Sequence, residues 1–169
     1  MIFDPKWSAF KVLAAAIKSE IDAAAFYSRL LKKVREKTLK EKIKFLAYEE
    51  KKHQRILERL FSQRYAGHKL VVPGKSPIPF LSWHQVKNLA VLELFRRAMD
   101  AEKMAEEFYR KAQKKMDDKE SQRILQYLSR VERSHYFLIM SEMDILKHFP
   151  DSYNADDFHL GLEMIHIGP

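Results

Sequence analysis

The sequence repeats itself once, because charged and aromatic residues of its first half recur in the second half at a constant offset of 82 positions. Glu20 recurs as Glu102, since 102 − 20 = 82, and the same offset relates the other pairs. These pairs are Tyr27 with Tyr109, Glu50 with Glu132, and His53 with His135, and apolar positions follow them, such as Ile43 with Leu125 and Leu57 with Ile139. Each copy carries a glutamate and, 30 residues later, a Glu-x-x-His motif. This repeat predicts a fold of two similar units packed together.

The distribution of glycine and proline predicts that these units are helical. Only four glycines and six prolines occur, and most of them fall between residues 66 and 79 or near the C-terminus. Long segments without either residue favour helices over many short strands, and apolar residues recur in them with a helical period. We expect helices at about 5–35, 39–62, 83–116 and 118–148, a crossover at 63–81 and a tail at 149–169, all in one domain over 1–169.

Local capping signals predict where each helix begins, because side-chain acceptors satisfy the first backbone N–H groups of a helix. The signals are Asp4-Pro5, the capping boxes Thr38–Glu41 and Ser82–Gln85, and the acidic run Asp117–Glu120, while Pro150 ends the last helix.

The connections predict how the helices pack. Short links join the first helix to the second and the third to the fourth, so each pair is expected to form an antiparallel hairpin. A crossover of about 20 residues can return along a helix of about 30 residues, which is roughly 45 Å long. Two helical hairpins joined by one long crossover make an all-α four-helix bundle with the connectivity of ferritin-like proteins.

The repeated polar residues are predicted to face the core of this bundle. Residues three positions apart lie on one face of a helix, so Glu50 projects with His53, and Glu132 with His135. Those faces also carry leucine and isoleucine, and the first glutamate of each copy lies among apolar residues. We therefore expect four glutamates and two histidines at one level inside the bundle.

So many charges in a core require counterions. Four ionised carboxylates without partners would each cost several kcal/mol to bury. Two divalent cations supply the positive charge that balances them while the histidines stay neutral. Oxygen ligands with one imidazole per metal suit iron, with manganese or zinc as possible substitutes. The alternative is a vestigial site in a purely structural bundle.

With these motifs the chain resembles the rubrerythrin branch of the ferritin-like superfamily of di-iron carboxylate proteins, over roughly residues 8–148. The resemblance implies two iron ions as cofactor. It also implies a role for each repeated residue: Glu20 and Glu102 as terminal ligands, Glu50 and Glu132 as bridging ligands, His53 and His135 as imidazole ligands, and Tyr27 and Tyr109 as hydrogen-bond donors to ligand carboxylates. The four glutamates are then the candidate catalytic residues. For the two tyrosines, a role as plain core aromatics is the alternative.

Two departures from the family bear on activity. Members that act as peroxidases usually carry a further glutamate three residues after the ligand of the third helix, where this chain has Ala105 followed by Glu106 and Glu107. Many also carry a rubredoxin domain that delivers electrons, which a chain without cysteine cannot form. Any electron donor is therefore expected to be another protein.

The expected function is that of a di-iron oxidoreductase that reduces hydrogen peroxide or O2, as a homodimer in the cytoplasm. A ferroxidase or iron-storage protein is one alternative, and a structural or DNA-protecting bundle is another. The net charge is +8, but the basic residues are spread along the helices, so a nucleic-acid partner is not expected. The sequence has no clean secretory signal and no stretch of 18 apolar residues, so a membrane is not expected either.

Other polar residues are expected to lie outside the site. Glu49 is rotated by about 100° from its neighbour in the motif, and is predicted to face solvent or to pair with a charge on the helices. Surface positions are expected for His68 and His84, and the tail residues His159, Glu163 and His166, whose spacing suits a metal, are expected in a segment that packs on the bundle or on a partner subunit.

Overall fold

A computed structural model describes residue 4, residues 6–76, residue 78 and residues 88–148, and these described residues form four α-helices. The helices are α1 (Ala9–Leu30), α2 (Lys37–Arg64), α3 (Val91–Ala112) and α4 (Lys119–His148), and a short 3-10 turn, Gln113–Lys115, follows α3. α1 packs most extensively against α2, and α3 against α4. The prediction of an all-α bundle built from two hairpins is confirmed, and the described residues contain no β-strand.

The first helix begins later than Asp4-Pro5 predicts. Asp4 instead closes a turn before the helix, since its carboxylate accepts from the Lys6 N–H at 2.9 Å and its carbonyl from the Trp7 N–H at 3.0 Å. Ser8 is the residue that caps α1, with its hydroxyl oxygen 3.3 Å from the N–H of Lys11. The helix also ends at Leu30 rather than near residue 35, because the backbone tightens into a turn there.

The second helix is capped by Glu36 and not by the predicted Thr38. The Glu36 carboxylate accepts from the N–H of Thr38 at 2.6 Å and from the N–H of Leu39. An ionised carboxylate is a stronger acceptor than a hydroxyl, and its negative charge is favoured at a helix N-terminus. Thr38 therefore lies inside α2.

Among the described residues the third helix begins at Val91, so the prediction of one continuous helix over 83–116 is wrong. Residues 88–90 are not helical, and the carbonyl of Leu89 accepts from the side chain of Lys33 at 2.9 Å. This contact comes from another hairpin, so no local signal could reveal it. The predicted capping box Ser82–Gln85 lies outside the described residues. The end of α3 at Ala112 is also earlier than residue 116, because the 3-10 turn replaces its last turn.

The fourth helix begins where the acidic run predicts. The Asp118 carboxylate accepts from the N–H of Ser121 at 2.7 Å, and Arg64 at the end of α2 binds both Asp117 and Asp118. The ends of the two hairpins are thereby joined by an ionic contact. The helix continues to His148, as predicted, while Pro150 and the tail 149–169 lie outside the described residues.

Two apolar clusters form the core and leave one polar level between them. On α2, Leu46 belongs to one cluster and Leu57 to the other, with Glu50 and His53 between them. α1 and α4 have the same arrangement, with Glu20 between Ile17 and Phe26, and with Glu132 and His135 between Leu128 and Ile139. The fold therefore holds the repeated polar residues at a common depth.

The crossover returns over α1 near this level. It turns at Gly67, whose φ of +80° is a conformation that side chains disfavour. Farther along, Ser76 meets Ser19 on α1 with 2.9 Å between their hydroxyl oxygens, and Ile78 is almost completely buried. Within the described ranges, no helix combines the length and the hydrophobicity needed to cross a membrane.

Candidate metal centre

The structure brings all six predicted ligand residues together in the polar level of the core. One glutamate comes from each helix, and α2 and α4 each add a histidine one turn farther along. None of the six residues is more than 2% exposed: Glu20, Glu50, His53, Glu102, Glu132 and His135. Such burial of ionisable groups is rare without compensating partners.

His53 faces three of the carboxylates. Its Nδ1 atom lies 3.4 Å from an oxygen of Glu20, 3.5 Å from an oxygen of Glu50 and 3.2 Å from an oxygen of Glu132. The contacts come from α1, α2 and α4, so this ring nitrogen marks a point where three helices converge.

His135 makes the equivalent contacts in the other half. Its Nδ1 atom lies 3.1 Å from Glu50, 3.4 Å from Glu132 and 3.8 Å from Glu102. The two imidazole rings stack with their centroids 5.5 Å apart and their planes 17° apart. The internal repeat of the sequence is thus expressed as a near-twofold symmetric cluster.

Two overlapping groups of four residues could each hold a metal ion. The first group is Glu20, Glu50, His53 and Glu132, and the second is Glu50, Glu102, Glu132 and His135. In each group, one ligand atom per residue lies within 4.8 Å of the others. Glu50 and Glu132 belong to both groups, so their carboxylates are placed to bridge two ions.

Each tyrosine of the repeat binds the carboxylate of the opposite hairpin. The hydroxyl of Tyr27 on α1 donates to Glu102 on α3, and the hydroxyl of Tyr109 on α3 donates to Glu20 on α1. Both tyrosines are fully buried. They therefore fix the two glutamates that belong to only one metal group each, which a plain core aromatic would not do.

Burial and mutual repulsion separate the carboxylates into two kinds. Burial, reinforced by the charges of Glu50 and Glu132, raises the pKa of Glu20 and of Glu102 well above its usual value. Burial also disfavours the charged form of Glu132, but contacts with His135 and His53 outweigh it and lower the pKa of Glu132. The pKa of Glu50 is lowered in the same way. Without metal, the shifts thus favour the protonated form of the first pair and the ionised form of the second pair.

The histidines carry the compensating charge. Burial tends to lower the pKa of His135, but the contacts with Glu132 and Glu50 raise it to about 11. The pKa of His53 is raised for the same reason, with Glu132 and Glu20 as its main partners. Imidazolium forms of His53 and His135 then offset the charges of Glu50 and Glu132 when no metal is bound.

Several oxygen and nitrogen atoms of the site have no hydrogen-bond partner and could bind cations. Among the residues that the structure describes, one oxygen each of Glu20, Glu50 and Glu132 and both ring nitrogens of His53 and His135 are buried without a hydrogen-bond partner. Buried polar atoms nearly always have one. Carboxylate oxygens and imidazole nitrogens left over at one point are the donors that iron, manganese and zinc accept. The residues present therefore fit two divalent ions.

Glu49 follows the second of its two predicted alternatives, since it pairs with a charge on its own helix and does not face solvent. The helical pattern allows a solvent-facing side chain, yet Glu49 is only 9% exposed, and its carboxylate lies 3.2 Å from the Lys52 ammonium. A carboxylate oxygen of Glu49 and one nitrogen each of His53 and His135 lie within 4.8 Å of one another, so α4 covers this position. The repeat contained a signal for this, because position 49 + 82 = 131 is the apolar Val131.

The remaining candidates lie away from the centre. His68 is exposed, as predicted, with its ring 6.3 Å from the rings of Phe10 and Tyr65. His84 and the tail residues His159, Glu163 and His166 lie outside the described residues.

Comparisons with known proteins agree with this architecture. The sequence model of the family described as Rubrerythrin matches residues 11–143. A hypothetical protein from Pyrococcus furiosus has a similar structure, with a TM-score of 0.72 and 36% sequence identity over 83% of this chain and 91% of that chain. A search of curated proteins found no match.

Proposed function

The chain belongs to the rubrerythrin family of the ferritin-like superfamily, and from that premise we propose that it is a di-iron redox protein that reduces hydrogen peroxide or O2. The observation that carries the proposal is the pair of buried ligand groups that share Glu50 and Glu132. A shared pair of carboxylates holds two ions close enough to act on one small molecule.

In this proposal each buried residue has a defined role. Glu50 and Glu132 would be shared by the two ions, Glu20 and Glu102 would each bind one of them, and His53 and His135 would each contribute one imidazole. Their Nδ1 atoms would be the ligand atoms, because these are the nitrogens that face the carboxylates. Two bound Fe(II) ions would supply the two electrons that, with two protons, convert hydrogen peroxide into two water molecules, each iron becoming Fe(III).

The tyrosines hold the geometry and keep their protons. Burial, together with the nearby carboxylates, raises the pKa of Tyr27 and of Tyr109 well above its usual value. Each hydroxyl therefore remains a donor at neutral pH and orients the carboxylate that it binds. Hydrogen bonds of this kind around metal ligands are a general means of fixing ligand orientation.

Electrons must return from outside the chain. The sequence has no cysteine with which to bind an iron–sulfur or rubredoxin centre. We therefore propose an external electron-donor protein as partner and a homodimer as the working form.

The proposal is tested by single-turnover oxidation under anaerobic conditions. Protein loaded with Fe(II) is mixed with hydrogen peroxide, and the ferric absorbance is followed. We expect about one peroxide consumed for every two Fe(II) ions. Glu50→Gln should abolish the rapid rise in ferric absorbance. Glu41→Gln, at an exposed position of the same helix, should retain it. Wild-type protein that binds iron but does not react with peroxide or O2 would refute the proposed activity.

A ferroxidase or iron-storage role is the second candidate, and Ala105 favours it. Peroxidase members of the family usually have a glutamate at this position, and its absence weakens the case for peroxide as the only oxidant. Storage requires a hollow shell of many subunits and far more iron than the two ions of the site. Solution mass together with iron taken up per chain separates this role from the leading one.

A further inference from the structure

A small cavity lies against the carboxylates of the metal centre. Its volume is about 10 Å³, and it is lined by Ser19, Glu20, Ala23, Glu50, Ile78, Glu102, Ala105 and Glu132. A cavity of roughly 10–15 Å³ holds about one water molecule. Neither histidine lines it, so it lies on the side of the carboxylates that faces away from the imidazoles. This is the side on which a small molecule can approach ions held by the cluster.

Two alanines at equivalent positions of the repeat form part of its wall. Ala23 and Ala105 are related by the offset 105 − 23 = 82, and each follows a terminal glutamate by three residues. They therefore lie one helical turn beyond Glu20 and Glu102, on the same faces of α1 and α3. Their methyl groups leave the space open where a longer side chain would fill it.

Ile78 closes this space from the crossover. Of the lining residues, it is the one that does not belong to a helix, and it is 1% exposed. Its branched side chain is the largest apolar group in the lining set. Among the described residues of the crossover, Ile78 is therefore the one that lines the space beside the carboxylates.

A chain of hydrogen bonds fixes the position of Ile78 against α1. The Ile78 N–H donates to the hydroxyl of Ser76 at 3.0 Å, and the Ser76 hydroxyl lies 2.9 Å from that of Ser19. The Ser19 hydroxyl donates to the carbonyl of Ala15 at 3.1 Å, so Ser76 must be the donor to Ser19. The hydroxyls of Ser19 and Ser76 then each donate one hydrogen bond and accept one.

We propose that Ile78, with Ala23 and Ala105, sets the size of the oxidant that reaches the metal centre and so acts as a specificity-determining residue. The site takes hydrogen peroxide or O2 and excludes alkyl hydroperoxides. This inference rests on the proposed function. An alkyl hydroperoxide takes up the same two electrons and two protons as hydrogen peroxide and gives an alcohol and water, so the reaction itself does not discriminate. The small space beside the carboxylates discriminates between the two peroxides by their size.

The test compares two oxidants on the full chain loaded with Fe(II). Single-turnover oxidation rates are measured with hydrogen peroxide and with tert-butyl hydroperoxide, for wild type and for Ile78→Ala. A pocket too small for the extra methyl groups of a substrate lowers the rate with that substrate by about tenfold or more. We expect wild type to favour hydrogen peroxide by at least that factor, and Ile78→Ala to reduce the preference by about tenfold. A crystal structure of metal-free Ile78→Ala should also show a larger cavity beside the carboxylates than in wild type, and an unchanged cavity would overturn the role of Ile78.

Control variants separate access from general damage to the core. Ile43→Ala makes the same change in the other apolar cluster of the core, which does not contain Ile78. This variant should keep the preference of wild type for hydrogen peroxide. Ser76→Ala removes the anchor of Ile78 and should lower the preference less than Ile78→Ala does. Ile78→Val, a conservative change, should lower it slightly, and decides the question if the alanine variant does not fold.

The outcomes distinguish this inference from the proposed function. If wild type reacts equally fast with both peroxides, or if iron-loaded Ile78→Ala keeps the full preference, Ile78 does not select the oxidant. If iron-loaded wild type reacts with neither peroxide nor O2, the proposed function itself fails.

Discussion

Tyr27 on α1 donates its hydroxyl hydrogen bond to Glu102 on α3, across the interface between the two hairpins. The internal repeat makes this contact reciprocal, since Tyr109 on α3 binds Glu20 on α1. Each half of the chain thus orients a metal-binding carboxylate of the other half. The site is complete only when both hairpins have packed, which couples its geometry to the fold of the whole bundle.

Removing either hydroxyl should weaken metal binding without unfolding the protein. Tyr27→Phe leaves an oxygen of Glu102 without its donor, and loss of a hydrogen bond to a metal ligand typically lowers affinity by about 10–100-fold. We expect Tyr109→Phe to have a similar effect, because of the repeat. Competition with a chelator measures the affinity. Tyr136→Phe, at a partly exposed position of α4, is the control, and equal affinities in all three variants would contradict the role of the tyrosines.

Loading two divalent ions should release about two to four protons at neutral pH. Two come from His53 and His135, whose pKa is raised by the carboxylates. Up to two more come from Glu20 and Glu102, whose pKa is raised by burial. Ligands bind metals in their deprotonated forms, so these protons must leave. Titration calorimetry with Zn²⁺ in buffers of different ionisation enthalpy counts them, and release of one proton or none would contradict these protonation states.

The metal-free protein should lose stability as the pH rises above neutrality. The pKa of His135 is raised from 6.5 to about 11 on folding, so its stabilising contribution is complete below pH 6.5 and is lost as the pH approaches 11. The raised pKa values of Glu20 and Glu102 act in the same direction.

In acidic solution the stability of the metal-free protein changes with pH in the opposite direction. The pKa of Glu132 is lowered from 4.5, so its contribution is present above pH 4.5 and is lost as the pH falls. Chemical denaturation in the presence of a chelator should therefore give maximal stability in mildly acidic solution. With metal bound, the dependence should change, because protons compete with the metal and its stabilising effect grows as the pH rises. A metal-free stability that increases from pH 6.5 to pH 9 would be inconsistent with the raised pKa values.

Substitution of a shared and of an unshared carboxylate should have different effects on metal content. Glu50 belongs to both ligand groups, whereas Glu20 belongs to one. We expect Glu20→Gln to keep one tightly bound ion, in the group that contains Glu102 and His135. Glu50→Gln should weaken both. Titration with Co²⁺, followed by its visible absorbance, reports each site, and identical titrations for the two variants would mean that Glu50 does not bridge.

The convergence of the polar residues was predictable because it follows from local rules. The spacing of Glu50 and His53 places both on one helix face, and Leu46 and Leu57 on that face identify it as the inner one. The repeat then extends the same reasoning to Glu132 and His135. A cluster of carboxylates and imidazoles at such a depth predicts bound cations, because its donor types are those of a metal site and burying its charges unpaired would be costly.

The features that escaped prediction depend on contacts between distant parts of the chain. α3 starts at Val91, and the carbonyl of Leu89 just before it binds Lys33 of the other hairpin. Glu49 is buried because α4 covers it. Ile78 reaches the site because the crossover is tied to α1 through Ser76 and Ser19. None of these contacts has a signature in the spacing of residues along one helix.

Metal content after anaerobic reconstitution is the most direct test of the central claim, that four carboxylates and two imidazoles buried at one level hold a pair of ions. Elemental analysis of purified protein, reconstituted with Fe(II) and freed of loosely bound metal, gives the number of ions per chain. The two ligand groups predict two ions. A chain that retains no metal, or one ion that survives Glu50→Gln unchanged, would contradict the account.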